Sequence, residues 1–586
     1  MKKINIILFT LIFSITSLFA LSVDESEIKK FADSKTIEFT SYTGPHKYID
    51  SAESIRNIGS NLGNYTKKDV NSKGTFGNLN KYYVIHAVNS DETEKLDADI
   101  LILGDNAAVD HIKNLRRIIG SYLESSYGYA REDADALAVF ITVYNAVYRG
   151  KLTELKDIYK KVVIENLTED ACGLSSNYIN WPGKTQIIIP LYDVNNGGLS
   201  TVDTSVISDS KVVESMKDDD DKNVDSRKQM VDIKERESDD ASEKAKESQK
   251  TAAEEQKKLD EQKKETEKVK KDAEVAQKKV DDKKKIADDK KQDADKKKEE
   301  AEQKKVIAEQ NPDDKVAQEE AVEAEKEAEK AEEEVQQAEE EVQQAEEEVE
   351  QAEKEVEEQQ AKQEEQTVKT EEAKEEAKKQ QEFADKKQAE AQQERKEIAS
   401  DQQEIKKQEI ADAKLNTEYG LVITDENNML SRLVKFDTAT GKVVKNSPVT
   451  VIRNRVIYRV DDKYIAIAGE DIGNGAIKLV LIDDETMEIV SESSNAIAAD
   501  SVLIQDGSDY YCVISENGNN YVAKFGEDLS LKLKSDVDVL SCTPITFTNS
   551  GLVVTDSHGT MKILSKSDLS EIKTEKTEVD MSIYEK

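Results

Sequence analysis

The chain has 586 residues, with 123 acidic side chains against 84 basic ones and a formal net charge of −39. A polyanion repels another polyanion, and no basic patch with interleaved aromatics occurs, so nucleic acid is excluded as a partner. The length suits about three or four domains. Composition is uneven: of 32 aromatic residues only Phe383 lies between Tyr192 and Tyr419, and no glycine lies between Gly198 and Gly420. Such a segment cannot build a compact core or turn often. The expected fold is multidomain: an α/β N-terminal domain, a long charged α-helical coiled-coil middle, and an all-β C-terminal domain.

The first residues read MKKINIILFTLIFSITSLFALSVDE. Lys2 and Lys3 form a basic start, Ile4 to Phe19 is an uncharged apolar run, and Ala20 is a cleavage position, so residues 1–20 read as a signal peptide. An uncleaved anchor helix is the alternative, because the run approaches spanning length. No cysteine lies near the cut, which argues against a lipid-modified N-terminus, and no other segment is apolar enough to span a membrane. The chain is expected to be exported.

Residues 22–200 read as the α/β domain. Asp50-Ser51-Ala52-Glu53 is a helix start. Tyr82–Ile85, Ile100–Leu103 and Gln186–Ile189 read as strands, and two helical runs cover 106–124 and 133–148. The phrase WPGKTQIIIPL invites a phosphate-loop reading. That pattern needs a glycine where Tyr178 stands and a helix after Lys184-Thr185, where a strand follows, so nucleotide binding is rejected.

Residues 201–240, with KDDDDK at Lys217–Lys222, read as a flexible polar linker. Residues 241–415 read as a helical rod. Ala331, Val335, Ala338, Val342, Ala345, Val349, Ala352 and Val356 alternate at four and three, with valine at a and alanine at d of a heptad. A second track at strict sevens runs from Ala252 to Ala308, out of phase with the first, and the break falls at Asn311-Pro312. Residues 251–310 carry a net charge of +1 and residues 311–370 a net of −18. A hairpin would set lysines of one arm beside glutamates of the other. Single exposed pairs contribute only about 0.3–0.5 kcal/mol each, so a long interrupted rod is the expectation and a hairpin the alternative. The rod is expected to separate two domains or to dimerise two chains.

Residues 416–575 read as strands in a fourfold repeat. GLVIT, YIAIA, YCVIS and LVVT end at Thr424, Ala468, Ser515 and Thr555, each before a turn. LVKFDTATGKVV, LVLIDDETMEIV, VAKFGEDLSLKL and MKILSKSDLSEI follow. Strand, polar turn and strand at this period resemble β-propeller repeats of the quinoprotein-like and WD40-like kind. Residues 576–586 read as a polar tail.

No residue qualifies as catalytic, cofactor-binding or metal-ligating. His46, His86, His111 and His558 fall in no zinc or hydrolase motif. His86 reads as a structural histidine on a strand and His558 as a turn residue. Arg116 and Arg117 fit either an acidic partner or an exposed helix face. The acidic turn at Asp425-Glu426 has too few carboxylates for a calcium loop. Cys172, Cys512 and Cys542 read as small buried hydrophobes, with a Cys512–Cys542 pair as the alternative.

Three phrases carry a resemblance: NLRRIIGSYL (114–123), YNAVYRG (144–150) and GKTQIIIPL (183–191). They are similar to the spirochaete antigen family typified by the eighty-three/one-hundred-kilodalton antigen of Lyme-disease Borrelia. The resemblance implies an exported antigen of the cell envelope, in the periplasm, associated with the outer envelope or at the surface, with no catalytic residue to carry over. The expected function is a structural or interaction protein that binds an envelope protein or, as a surface adhesin, a host ligand. A homodimer through the coiled coil is a further expectation, and an unrecognised hydrolase-like site in the N-terminal domain is the alternative class.

Overall fold

The computed structural model describes residues 37–47, 50–67, 74–89, 94–192, 202–219, 221–471 and 475–578. The signal-peptide reading of residues 1–20 lies outside them, as does the tail beyond 578. Two compact units divide the chain: residues up to Lys234 together with Glu390 onward, and Glu235–Ala389.

The first unit opens with a mixed α/β domain built on one antiparallel sheet. Its strands, β1 (Gly74–Asn78), β2 (Tyr82–Ala87), β3 (Asp97–Leu103) and β4 (Thr185–Leu191), lie in sequence order. Every residue of β3 and β4 is buried, as expected of near-continuous apolar runs covered on both faces. Helix α1 (Ala52–Thr66) starts where DSAE places it, with Ser51 Oγ accepting the Ser54 N–H at 3.1 Å. Helix α2 (Ile112–Tyr127) begins later than the expected 106, because His111 caps it through Nδ1. Helices α1 and α2 touch at Gly59, where a Cβ would come within 2.0 Å of the Ile118 carbonyl oxygen. Helix α3 (Arg131–Val147) packs on β4, and the short helices α4 (Leu152–Ile158) and α5 (Lys161–Ile164) precede that strand.

The linker expectation for 201–240 is overturned. Residues Thr204–Ile207 (α6) and Ser210–Met216 (α7) are helical, and α8 (Val224–Gln310) starts within the same stretch. Ile207, Val212, Val213, Met216, Met230 and Ile233 bury their side chains in the core of the α/β domain. Apolar side chains at helical spacing outweigh the solubility of the neighbouring aspartates.

The second unit is a helical hairpin, which overturns the continuous rod. Helix α8 ends at Gln310 and α9 (Lys315–Asp412) begins after a turn at the expected Asn311-Pro312 break. Asp314 Oδ1 accepts the Val316 N–H at 3.0 Å and so caps α9. The arms pair antiparallel: Lys283, Lys284, Lys298 and Lys305 reach Glu341, Glu346, Glu332 and Glu325. One pair contributes little, but a ladder of them favours this topology over its alternatives. Valine at a and alanine at d were expected to share the seam; Ala324, Ala328, Ala331, Ala338 and Ala345 are buried as expected, while Val335, Val342, Val349 and Val356 are only partly buried. Near the turn, Ala324 and Ala328 pack on Ala301 of the alanine track of α8. Among the described residues no helix is long and apolar enough to cross a membrane.

Beyond Asp412 the described part of the first unit is all-β, as expected. Strands β5 (Thr417–Asp425), β6 (Leu430–Asp437) and β7 (Val443–Asn446) form the first antiparallel group. Strands β8 (Ile452–Val460), β9 (Lys463–Ala468), β10 (Lys478–Asp483) and β11 (Ile489–Glu492) form the second, which joins the first through a short β6–β8 pairing. The third sheet is β12 (Ile504–Asp506), β13 (Asp509–Glu516), β14 (Asn519–Phe525) and β15 (Leu531–Asp538). The fourth is β16 (Thr546–Phe547), β17 (Leu552–Thr555), β18 (Thr560–Leu564) and β19 (Glu571–Glu578). Separate apolar clusters join the first group to the second, the second to the third and the third to the fourth. Among the described residues no cluster joins the fourth to the first, so the stack is open.

The repeated phrase has a repeated cause. Asp437, Asp483, Asp528 and Asp568 each accept a hydroxyl from Thr440, Thr486, Ser530 or Ser570 at 2.6–3.1 Å, the Asx-type turn that their spacing specifies. The turn then needs one left-handed residue. Gly441 supplies it in the first group, whereas Met487, Leu529 and Leu569 adopt φ near +60° with buried side chains, so apolar burial offsets the backbone cost.

Candidate functional site

The α/β domain and the β-stack touch directly, so the expectation that a rod holds them apart is overturned. A chain that turns back at residues 311–314 returns to where it left. Tyr42 N donates to the Asp110 carbonyl and Ile112 N to Ser41 Oγ, which fixes segment 40–47 on the start of α2. The same segment lies on the second sheet group: Ala476 N donates to Pro45 O at 3.1 Å, and Tyr42 OH donates to Pro45 O at 2.9 Å and reaches Glu470 O at 3.5 Å. Burial raises the Tyr42 hydroxyl pKa well above its ordinary value. Charges rim the seam: Lys113–Glu488 at 2.7 Å, Lys47–Asp471 at 2.8 Å, and Glu492 accepting the His46 N–H at 3.3 Å while facing Lys478 at 3.7 Å.

Two of the four histidines, far apart in sequence, meet here around Asp110. The His46 Nδ1–Asp110 Oδ2 contact, at 3.4 Å, raises the His46 pKa. Burial lowers His111 to about 4, and its Nδ1 accepts the Lys113 N–H, which requires the unprotonated ring. The two groups act in opposite directions. His46 stabilises the fold fully below its unfolded pKa near 6.5, and that contribution is lost as pH rises through its raised folded value. His111 stabilises above about 6.5, and its contribution is lost as pH falls from there towards about 4, by at most about 3 kcal/mol. Asparagine at position 111 retains a capping oxygen and has no titrating ring. Thermal melts of His111→Asn from pH 7 to 4 are therefore expected to fall less steeply than those of the parent; equal slopes would assign the acid limb elsewhere.

His86 is buried on β2 with Nδ1 at 2.6 Å from Asp99 Oδ1, while Tyr122 and Tyr127 donate to Asp99 Oδ2. The structural reading of His86 fits this enclosed network. His558 sits in its turn, with its N–H donating to Asp556 Oδ1. Arg116 turns inward, donates from Nε to Thr142 Oγ1 at 3.0 Å and lies 5.7 Å over the Phe39 ring; burial lowers its pKa to about 10. Arg117 donates to Asn114 Oδ1. Among the described residues Cys172, Cys512 and Cys542 form no disulfide, which overturns the Cys512–Cys542 pair.

Residues that sequence reasoning passed over hold the domain together. Asn145 Oδ1 accepts the Ile188 N–H at 2.7 Å and Nδ2 donates to the Ile188 and Ile141 carbonyls at 2.8 Å, so its amide replaces a neighbouring strand beside β4. Arg149 Nη1 donates to the carbonyls of Ala171, Gly173 and Lys184, and Nη2 to Asp170. Phrases 144–150 and 183–191 thus bind each other. Their signal is structural.

Where α8 leaves the first unit and α9 re-enters it, charges are buried. Arg227, fully enclosed, donates from Nε to Glu394 and from Nη1 to Asp401, both at 2.6 Å. Lys222 reaches Asp401 at 2.9 Å and Glu404 at 2.5 Å, and Lys234 reaches Glu390 at 2.7 Å. Val224, Val231, Ala391 and Ile398 pack between the two helix ends.

An α/β domain fastened to an open stack of repeated sheets, with a charged helical hairpin inserted between them in sequence, defines a multidomain repeat protein. The model of the Borrelia P83/100 protein family matches residues 26–545, and the chain belongs to that family. It is the antigen family that the three phrases resemble. No match is found among curated proteins. Among solved structures the chain is similar to a computationally designed protein, Ika8, at 14% identity, over 27% of this chain and 50% of that one, with a TM-score of 0.19. It is also similar to BamB from Moraxella catarrhalis at 12% identity, over 28% of this chain and 65% of that one, with a TM-score of 0.17. The chain spans half the length of the first and just under two thirds of the second.

Proposed function

We propose that the chain is an exported, envelope-associated interaction protein whose four groups of antiparallel strands act as propeller-type blades that hold a protein partner. The observation that carries this reading is the open stack, fastened to the α/β domain at the Tyr42 seam. Membership of a Borrelia antigen family supports the envelope location. The alanine seam of the hairpin is filled within one chain, so the reading gives the hairpin an intramolecular role and needs no second copy.

The test is short-reach cross-linking in intact cells followed by fractionation. The expected result is recovery in the envelope fraction, with one discrete heavier species joined through the β-domain. Recovery in the cytosol, or as uncrosslinked protein alone, would overturn the reading. Full-length protein offered ester, peptide and glycoside substrates is expected to turn over none; turnover abolished by His86→Gln would favour the enzyme class instead.

A further inference from the structure

The fourfold repeat allows each place in one sheet to be compared with the same place in the others. Strands β5, β9, β13 and β17 are equivalent: GLVIT, YIAIA, YCVIS and LVVT. In three of them a preceding strand pairs antiparallel with the far edge, β8 with β9, β12 with β13 and β16 with β17. Among the described residues the first group has no counterpart. Among the described residues β5 pairs with β6 alone, along almost its whole length. The open edge shows in burial: Val422 is 47% exposed, whereas Ala468 and Ile514, which hold its place in the ladder register, are 0% and 1% exposed. Ile423 beside it is 48% exposed. Up to a bulge between Ile423 and Asp425 the edge is regular and exposes branched side chains, an invitation to strand addition, since native edges are ordinarily short, charged with lysine, bulged or covered.

Charge indicates what fits. From Asn416 to Met429 the chain carries Glu418, Asp425 and Glu426 and no lysine or arginine. The strand that fills the same place in the second group, β8, reads IRNRVIYRV, with Arg453, Arg455 and Arg459 among branched apolar residues. An incoming strand with that composition meets opposite charge at the edge and covers the exposed pair.

We propose that the free edge of β5 docks an extended, basic segment of a partner protein, which adds antiparallel as the fourth strand of the first group. This rests on the interaction-protein reading and names the chemistry of its partner.

The probe is a labelled synthetic nonapeptide, IRNRVIYRV, titrated into the unaltered full-length protein. Saturable binding is expected, with amide hydrogen exchange slowed at least tenfold over residues 417–425. The same peptide N-methylated at alternate residues cannot complete the ladder, and its binding should be at least tenfold weaker. A peptide with its three arginines replaced by glutamate should also lose at least tenfold. Absence of saturation, equal binding of the N-methylated or glutamate peptide, or protection at Lys463–Ala468 through displacement of β8 would each overturn the proposal. None of these failures touches the envelope reading, which stands or falls on the cross-linking and fractionation.

Discussion

Arg227→Ala is expected to lower the unfolding free energy by about 3–5 kcal/mol, the usual cost of stranding a buried carboxylate. Arg227 is the enclosed cation between Glu394 and Asp401. Burial pushes the Asp401 carboxyl up, but its hydrogen bonds from Arg227 and Lys222 outweigh this and hold its pKa below the ordinary value. Without the guanidinium, Asp401 keeps Lys222 alone and Glu394 loses its partner. The chain supplies its own reporter of the damage. DDDDK is the recognition sequence of enteropeptidase, and its lysine is Lys222, whose side chain is held by Asp401 and Glu404. The folded parent is therefore expected to resist that protease, and the Arg227→Ala protein to be cut after Lys222 well below its unfolding midpoint. Replacing Arg227, Glu394 and Asp401 together by Met, Leu and Leu removes the charges as a set, and should restore most of the stability. Urea denaturation of the three proteins, with digestion in parallel, decides the matter; a parent cut as fast as unfolded chain would remove the clamp from the account.

Asn145→Ala is expected to cost about 3 kcal/mol, because two buried backbone groups of Ile188 lose their partner at about 1–3 kcal/mol each. Asn145→Asp separates geometry from size. It keeps the oxygen that accepts the Ile188 N–H but sets an acceptor against the Ile188 carbonyl and buries a charge, so it should be at least as damaging as alanine. Thermal melts would show the loss, and amide exchange at Ile188 would rise in both variants. An alanine variant within about 0.5 kcal/mol of the parent would mean that water or a shifted backbone substitutes for the amide.

Much of the architecture was legible because it is written in local signals. The Ser51 cap, the apolar runs of β3 and β4, the Pro312 break and the fourfold Asp turns depend on neighbours within a few residues. The hairpin was legible too, but only as a sum. The charge asymmetry between 251–310 and 311–370 predicted the observed Lys–Glu ladder, and was discounted because each pair is weak. In the stretch 201–240 the aspartate run drew attention from Val206, Ile207, Val212, Val213 and Met216, whose spacing specifies buried helix faces. The contacts that define the seam and the core bonds were not legible. Tyr42 meets Glu470 428 residues away, and Asn145 meets Ile188 43 residues away. No spacing rule connects such positions in a single sequence.

The hairpin carries a consequence for how the chain can change length over evolutionary time. Its arms within the second unit, 235–310 and 315–389, match to within one residue. Duplicating one AEEEVQQ phrase lengthens a single arm by two turns of helix, and every lysine beyond it would then face the wrong glutamate. Growth or loss is neutral only when both arms change by the same number of heptads, at facing positions. Length variants in this segment should therefore come in matched pairs, or else carry a displaced turn. Meanwhile the fastened domains outside it need not change.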